Sequence, residues 1–111
     1  MADDLTAKTC VPCRGGIPPL SEADAKGLLT QIPEWTLASK AHDLSRKFVF
    51  PDFKTALAFV DGVGALAEAE GHHPDLEFGW GYCNVKTYTH KIDGLHENDF
   101  ILAAKIDKLP R

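Results

Sequence analysis

The chain predicts an α+β domain: a single four-stranded antiparallel sheet with three helices packed on one face. Segments of helical and strand period follow one another as helix, strand, strand, helix, strand, strand, helix. The strands fall into two neighbouring pairs joined by short turns, the arrangement of antiparallel hairpins. Each helix carries one apolar stripe and needs one covered face, which a half-buried sheet supplies.

The first helix opens at Ser21-Glu-Ala-Asp24, a hydroxyl cap followed by acids in the first turn. It is expected to run to about Gln31, burying Ala25, Leu28, Leu29 and Ile32, before Pro33 follows its end. Two strands come next, Trp35 to Ala38 and Leu44 to Phe50, turning at Ala41-His42-Asp43. Leu44, Arg46, Phe48 and Phe50 alternate with Ser45, Lys47 and Val49, the period of a half-buried strand. Pro51-Asp52-Phe53 starts the longest helix, whose expected stripe is Phe53, Ala56, Leu57, Val60, Val63, Gly64 and Ala67. Gly62 and Gly64 each cost such a helix about 1 kcal/mol relative to alanine, so close packing against the sheet is expected there. Gly71 and Pro74 end this helix. Leu76 to Trp80 and Cys83 to Thr89 form the second hairpin, bending at Gly79-Trp80-Gly81. Cys83, Val85, Thr87 and Thr89 share one face, and Asn84, Lys86 and Tyr88 the other. After a loop at Lys91 to Leu95, His96-Glu-Asn98-Asp99 opens a last helix with Leu102, Ala103, Ile106 and Leu109 on its stripe.

At 111 residues, 44% hydrophobic and 25% charged, the composition is that of one globular domain. Residues 20–111 form the expected domain, and residues 1–19 an irregular extension. A net charge of −4 offers no footprint for nucleic acid and no polybasic membrane patch. No apolar run approaches the ~20 residues of a membrane span, and the acidic N-terminus does not read as a signal or transit peptide. Three cysteines argue against a disulfide framework and for a reducing, cytoplasmic setting. The Cys10-Val-Pro-Cys13 pair lacks the second pair of a zinc site and the strand–helix context of a redox motif, so it reads as two thiols in a surface arm.

The chemistry concentrates between Glu68 and His90, where three of the five histidines lie: His72, His73 and His90. Three readings compete: structural caps, a metal site, and an acid–base pocket. Adjacent histidines point about 100° apart on a helix and oppositely on a strand, which suits a shared ion poorly. Acid–base chemistry asks less: imidazoles that titrate near neutrality, one of them oriented by a carboxylate. Glu68 stands four residues before His72 and is the expected partner on one helix face. The residues order these readings as acid–base, then metal, then structural.

The spacing Glu68-x3-His72-His73-Pro74-x5-Trp80-x9-His90-x8-Asp99 resembles the signature of the pterin-4a-carbinolamine dehydratases. The resemblance runs from about Ile17 to Leu109 and includes Trp35 and the Phe-x-Phe-x-Asp-Phe run at Phe48 to Phe53. It implies dehydration of 4a-hydroxytetrahydrobiopterin to quinonoid dihydrobiopterin, in recycling of that pterin, with no metal and no separate cofactor. It also implies a homodimer or homotetramer. By resemblance, the catalytic residues are His72, His73 and His90; the substrate-binding residues are Trp35, Glu68, Pro74, Thr89, Lys91 and Ile92. His72 and His90 are the expected acid–base pair, with Glu68 orienting His72 and Trp35 walling the ring. Trp80 is expected in the pocket wall or in packing, and Asp99 in the site or simply as a cap of the last helix. Other readings are a binding, assembly or coactivator-like protein of the same fold, and an enzyme acting on another pterin, such as a molybdopterin-related one.

Overall fold

A computed structural model describes residues 4–11 and 15–111. Its helices are α1 (Glu22–Leu29), α2 (Phe53–Glu70) and α3 (Glu97–Asp107), and its strands are β1 (Thr36–Leu37), β2 (Leu44–Val49), β3 (Asp75–Gly79) and β4 (Tyr82–Thr87). The strands form one antiparallel sheet in the order β1-β2-β4-β3. Among the described residues, no helix is long and apolar enough to cross a membrane.

Alternation along the strands decides which face is covered. Leu44 pairs with Thr87, Arg46 with Val85 and Phe48 with Cys83. Leu44, Phe48, Cys83, Val85 and Thr87 are all buried. The intervening Lys47, Val49 and Lys86 face away and are exposed. β2 and β4 hold the centre, and β1 and β3 the edges.

The caps follow local chemistry. The Ser21 hydroxyl accepts from the Asp24 N–H, and the Asp52 carboxylate accepts from the Thr55 N–H. α2 ends where Gly71 turns left-handed at φ 68°, a conformation that costs an L side chain steric strain. The N–H groups of Gly71 and His72 then both donate to the Ala67 carbonyl.

Two expectations for α2 are corrected. Its buried face is Ala56, Phe59, Val63 and Ala67, whereas Phe53 and Leu57 stand 46% and 40% exposed. The helix is apolar around much of its circumference, so spacing alone left its rotation open. The aromatic side chains of β2 settle it: the Phe59 ring lies 4.6 Å from that of Phe48 and 5.1 Å from that of Phe50. The glycines do not mark a close approach to the sheet. A Cβ on Gly64 would meet nothing within 4 Å, and one on Gly62 would sit 3.7 Å from Leu109.

α3 is buried on nearly every side, from Asn98 to Ala104 and at Ile106. Its second cover is the N-terminal segment. A 3-10 turn at Leu5–Ala7 lies along α3 and places Leu5, 1% exposed, in the core. The Leu5 N–H donates to Gln31 Oε1, and Lys8 pairs with Glu97 at 2.8 Å. Cys13 lies outside the described residues; Cys10 and Cys83 are free thiols.

Candidate active site

A cleft of about 490 Å³ opens where the end of α2, the chain after β4 and the start of α3 meet. His72, His73, Pro74, Thr89, His90 and Lys91 all line it, so the structure brings together most of the residues singled out in the sequence.

Asp99 organises the cleft floor. It is fully buried, and its carboxylate accepts four hydrogen bonds. Oδ1 receives His72 Nε2 and the Thr87 hydroxyl, both at 2.6 Å. Oδ2 receives the Thr89 hydroxyl at 2.8 Å and the His96 N–H at 3.0 Å. The fold supplies each donor for a local reason. Thr87 and Thr89 fall on the inward face by strand alternation, and His96 N–H is the orphan donor of a capping box whose third residue is Asp99. Gly71 turns the chain so that His72 crosses toward α3. Asp99 thus both caps its helix and grips an imidazole. With Nε2 engaged, His72 has Nδ1 left for exchanging protons.

The expected Glu68–His72 pair is corrected. His72 lies beyond the end of α2, so the four-residue helical spacing does not reach it. Glu68 Oε2 instead meets His73 Nε2, both side chains being well exposed. Two neighbouring histidines therefore have two different carboxylates: a buried one behind His72 and a solvated one on His73. Among the described residues, no group of three His, Cys, Asp or Glu side chains is placed to hold a metal ion.

His90 faces the cleft from a 3-10 turn, His90–Ile92, closed by the Thr89–Gly94 bridge. Its ring lies 4.2 Å from that of Tyr88, which lies 4.7 Å from that of His42, each pair tilted by 40°. His42 ties down the same loop through Asp93 at 2.9 Å, and bonds Asp43 at 3.0 Å. The Asp43 and then the Asp93 hydrogen bonds hold its pKa above the ordinary histidine value.

Three expected residues lie off the cleft wall. Trp35 is in the core, 3% exposed against Phe48, its indole N–H donating to Asp107 Oδ1 at 2.9 Å. Ile92 is half-buried outside the lining, and Glu68 reaches the site only through His73. Trp80 is 70% exposed at the β3–β4 turn. Residues that the sequence did not single out for the wall are Val11, Gly71, Asp75, Tyr88 and Asn98. For Tyr88 the adjacency to His90 was an available signal. Val11 had none, since its place depends on a contact with the distant Asn98.

Fold and cleft together define a class: a single-sheet α+β protein with a histidine-lined pocket backed by a buried carboxylate. Residues 18–109 match the family model for pterin 4 alpha carbinolamine dehydratase. Among similar proteins, one from Methylococcus capsulatus is 58% identical over 97% of this chain and 95% of its own. Another, from Rubrobacter xylanophilus, is 50% identical over 96% and 98%. Both bear the name "putative pterin-4-alpha-carbinolamine dehydratase". A crystal structure of a transcriptional coactivator/pterin dehydratase from Brucella melitensis superposes with a TM-score of 0.75 at 28% identity, covering 80% of this chain and 95% of that one. A pterin dehydratase-like RuBisCO assembly factor of the alpha-carboxysome superposes at 0.58 and 29% identity, covering 67% and 86%. The chain belongs to the pterin-4a-carbinolamine dehydratase family, a family of hydro-lyases.

Proposed function

We propose that this protein dehydrates 4a-hydroxytetrahydrobiopterin to quinonoid dihydrobiopterin by histidine acid–base catalysis, in tetrahydrobiopterin recycling. The observation that carries the proposal is that His72 and His90 line one cleft, with His72 held by the buried Asp99. Loss of water breaks the C4a–O bond and the N5–H bond and forms the C4a=N5 double bond. One imidazolium gives a proton to the departing hydroxyl, and one imidazole takes the N5 proton. The ring that ends protonated and the ring that ends neutral re-exchange through solvent, so the protein returns to its starting state. Asp99 orients His72 and compensates the charge that its ring carries when protonated, as a buried aspartate does behind other catalytic histidines. His73, exposed and paired with Glu68, is suited to hydrogen-bonding the substrate rim.

A binding or assembly role draws support from the two solved relatives, one a transcriptional coactivator/pterin dehydratase and the other a RuBisCO assembly factor. Retention of all three histidines on one cleft favours the enzyme. Self-association as a homodimer or homotetramer is supported by exposed apolar side chains at Val49, Phe53, Leu57 and Trp80. A stopped-flow assay of 4a-hydroxytetrahydrobiopterin breakdown tests the activity. Acceleration well above spontaneous loss of water is expected, and a rate equal to it contradicts the proposal.

A further inference from the structure

We propose that Val11 is a substrate-contacting wall of the cleft and that Asn98 is the residue that positions it; this rests on the dehydratase reading above. Asn98 is 1% exposed, yet its side-chain amide is devoted to the peptide groups of an exposed residue. Its Oδ1 accepts from the Val11 N–H at 3.0 Å, and its Nδ2 donates to the Val11 carbonyl at 2.6 Å. One amide thereby pairs both backbone groups of Val11, as a neighbouring strand would.

The adjoining residues are anchored as firmly. Cys10 N–H donates to Glu70 Oε1 at 2.9 Å, Glu70 Oε2 meets Lys105 Nζ at 2.9 Å, and Lys8 meets Glu97. The segment is thus fixed at successive positions as it passes the cleft. At its end, Val11 is left 56% exposed among the residues that line that cleft.

Besides the three imidazoles, Asp75, Thr89, Lys91 and Asn98, the wall holds Pro74 and Tyr88 as its other less polar side chains. A flat bicyclic ring needs apolar contact as well as hydrogen bonds. Trp35, the aromatic expected to give that contact, is committed to the core. Val11, on the cleft lining, supplies it, and Asn98, which borders the same cleft, holds Val11 in place beside the histidines through both of its backbone groups.

The test is steady-state kinetics on enzymatically generated 4a-hydroxytetrahydrobiopterin, with wild type, Val11→Gly, Asn98→Leu, Asn98→Asp and the double variant Val11→Gly/Asn98→Leu. Losing one partly exposed apolar contact is expected to raise KM about fivefold to tenfold in Val11→Gly, while kcat falls by less than about twofold. Asn98→Leu raises KM by the same factor, and the double variant is no worse than Val11→Gly alone, because Asn98 acts through Val11. Asn98→Asp, which keeps the acceptor for the Val11 N–H, falls between. Wild-type KM in Val11→Gly overturns the proposal, as do losses that multiply in the double variant. Should Asn98→Leu not fold, the comparison of Val11→Gly with wild type decides alone. If wild type itself is no faster than the spontaneous reaction, the dehydratase reading falls and this proposal with it. If wild type turns over and Val11→Gly keeps its KM, only the wall is refuted.

Discussion

Asp99 concentrates the most consequence in the fewest atoms. Two carboxylate oxygens take hydrogen bonds from an imidazole, two hydroxyls and a backbone N–H inside a fully buried site. Asp99→Asn substitutes an amide donor for one of these acceptors, leaving a buried clash of donors worth about 1–3 kcal/mol. The variant is expected to lose that much in urea unfolding. On the proposed mechanism its turnover is expected to fall by ~10²–10⁴, since misorienting His72 would cost as much as removing it. Wild-type kcat in Asp99→Asn would show that His72 needs no carboxylate behind it. His42 makes the second prediction at this scale. Its pKa is raised by Asp43 and Asp93, so the protonated ring ties the His90 loop most firmly below its ordinary value of 6.5. That contribution disappears as pH rises through the raised folded value. Hydrogen exchange at the Asp93 and Gly94 amides, corrected for intrinsic rates, should therefore grow less protected toward alkaline pH. Asp93→Asn should flatten the trend, and a pH-independent protection factor in wild type would refute the tether.

At the scale of the element, the end of α2 matters most. Gly71 takes a left-handed φ of 68° and reverses the chain so that His72 meets Asp99 while His73 turns back over Glu68. Replacing it with alanine places a Cβ in an unfavourable conformation but in open space, so the cost is backbone strain of about 1–2 kcal/mol and no clash. Gly71→Ala should lower the melting temperature accordingly, with loss of activity exceeding loss of folded protein because both histidines follow the turn. An unchanged melting temperature would mean that the helix ends differently in solution.

At the scale of the whole molecule, the N-terminal segment and α3 share one core. Leu5 is 1% exposed within it, and truncation of a buried leucine to alanine typically costs 2–5 kcal/mol, about the loss expected for Leu5→Ala. An effect below about 0.5 kcal/mol, that of a surface change, would mean that the segment is not seated. This is also where reading the sequence stopped short. Strand alternation and helix caps are local, so the sheet faces, Ser21, Asp52 and Gly71 were legible residue by residue. The histidine trio was legible by its spacing. The partners were not: the choice of Asp99 over Glu68 for His72, of Phe59 for the buried face of α2, and of Val11 for the cleft each depends on contacts between distant segments. A short polar or apolar residue carries no local sign of such a contact.

The central claim is that His72 and His90 move the protons. Its most direct test is stopped-flow dehydration of 4a-hydroxytetrahydrobiopterin by wild type, His72→Ala and His90→Ala, with circular dichroism confirming the fold of each. Each substitution is expected to lower kcat by ~10²–10⁴. Wild-type turnover in both folded variants would contradict the claim.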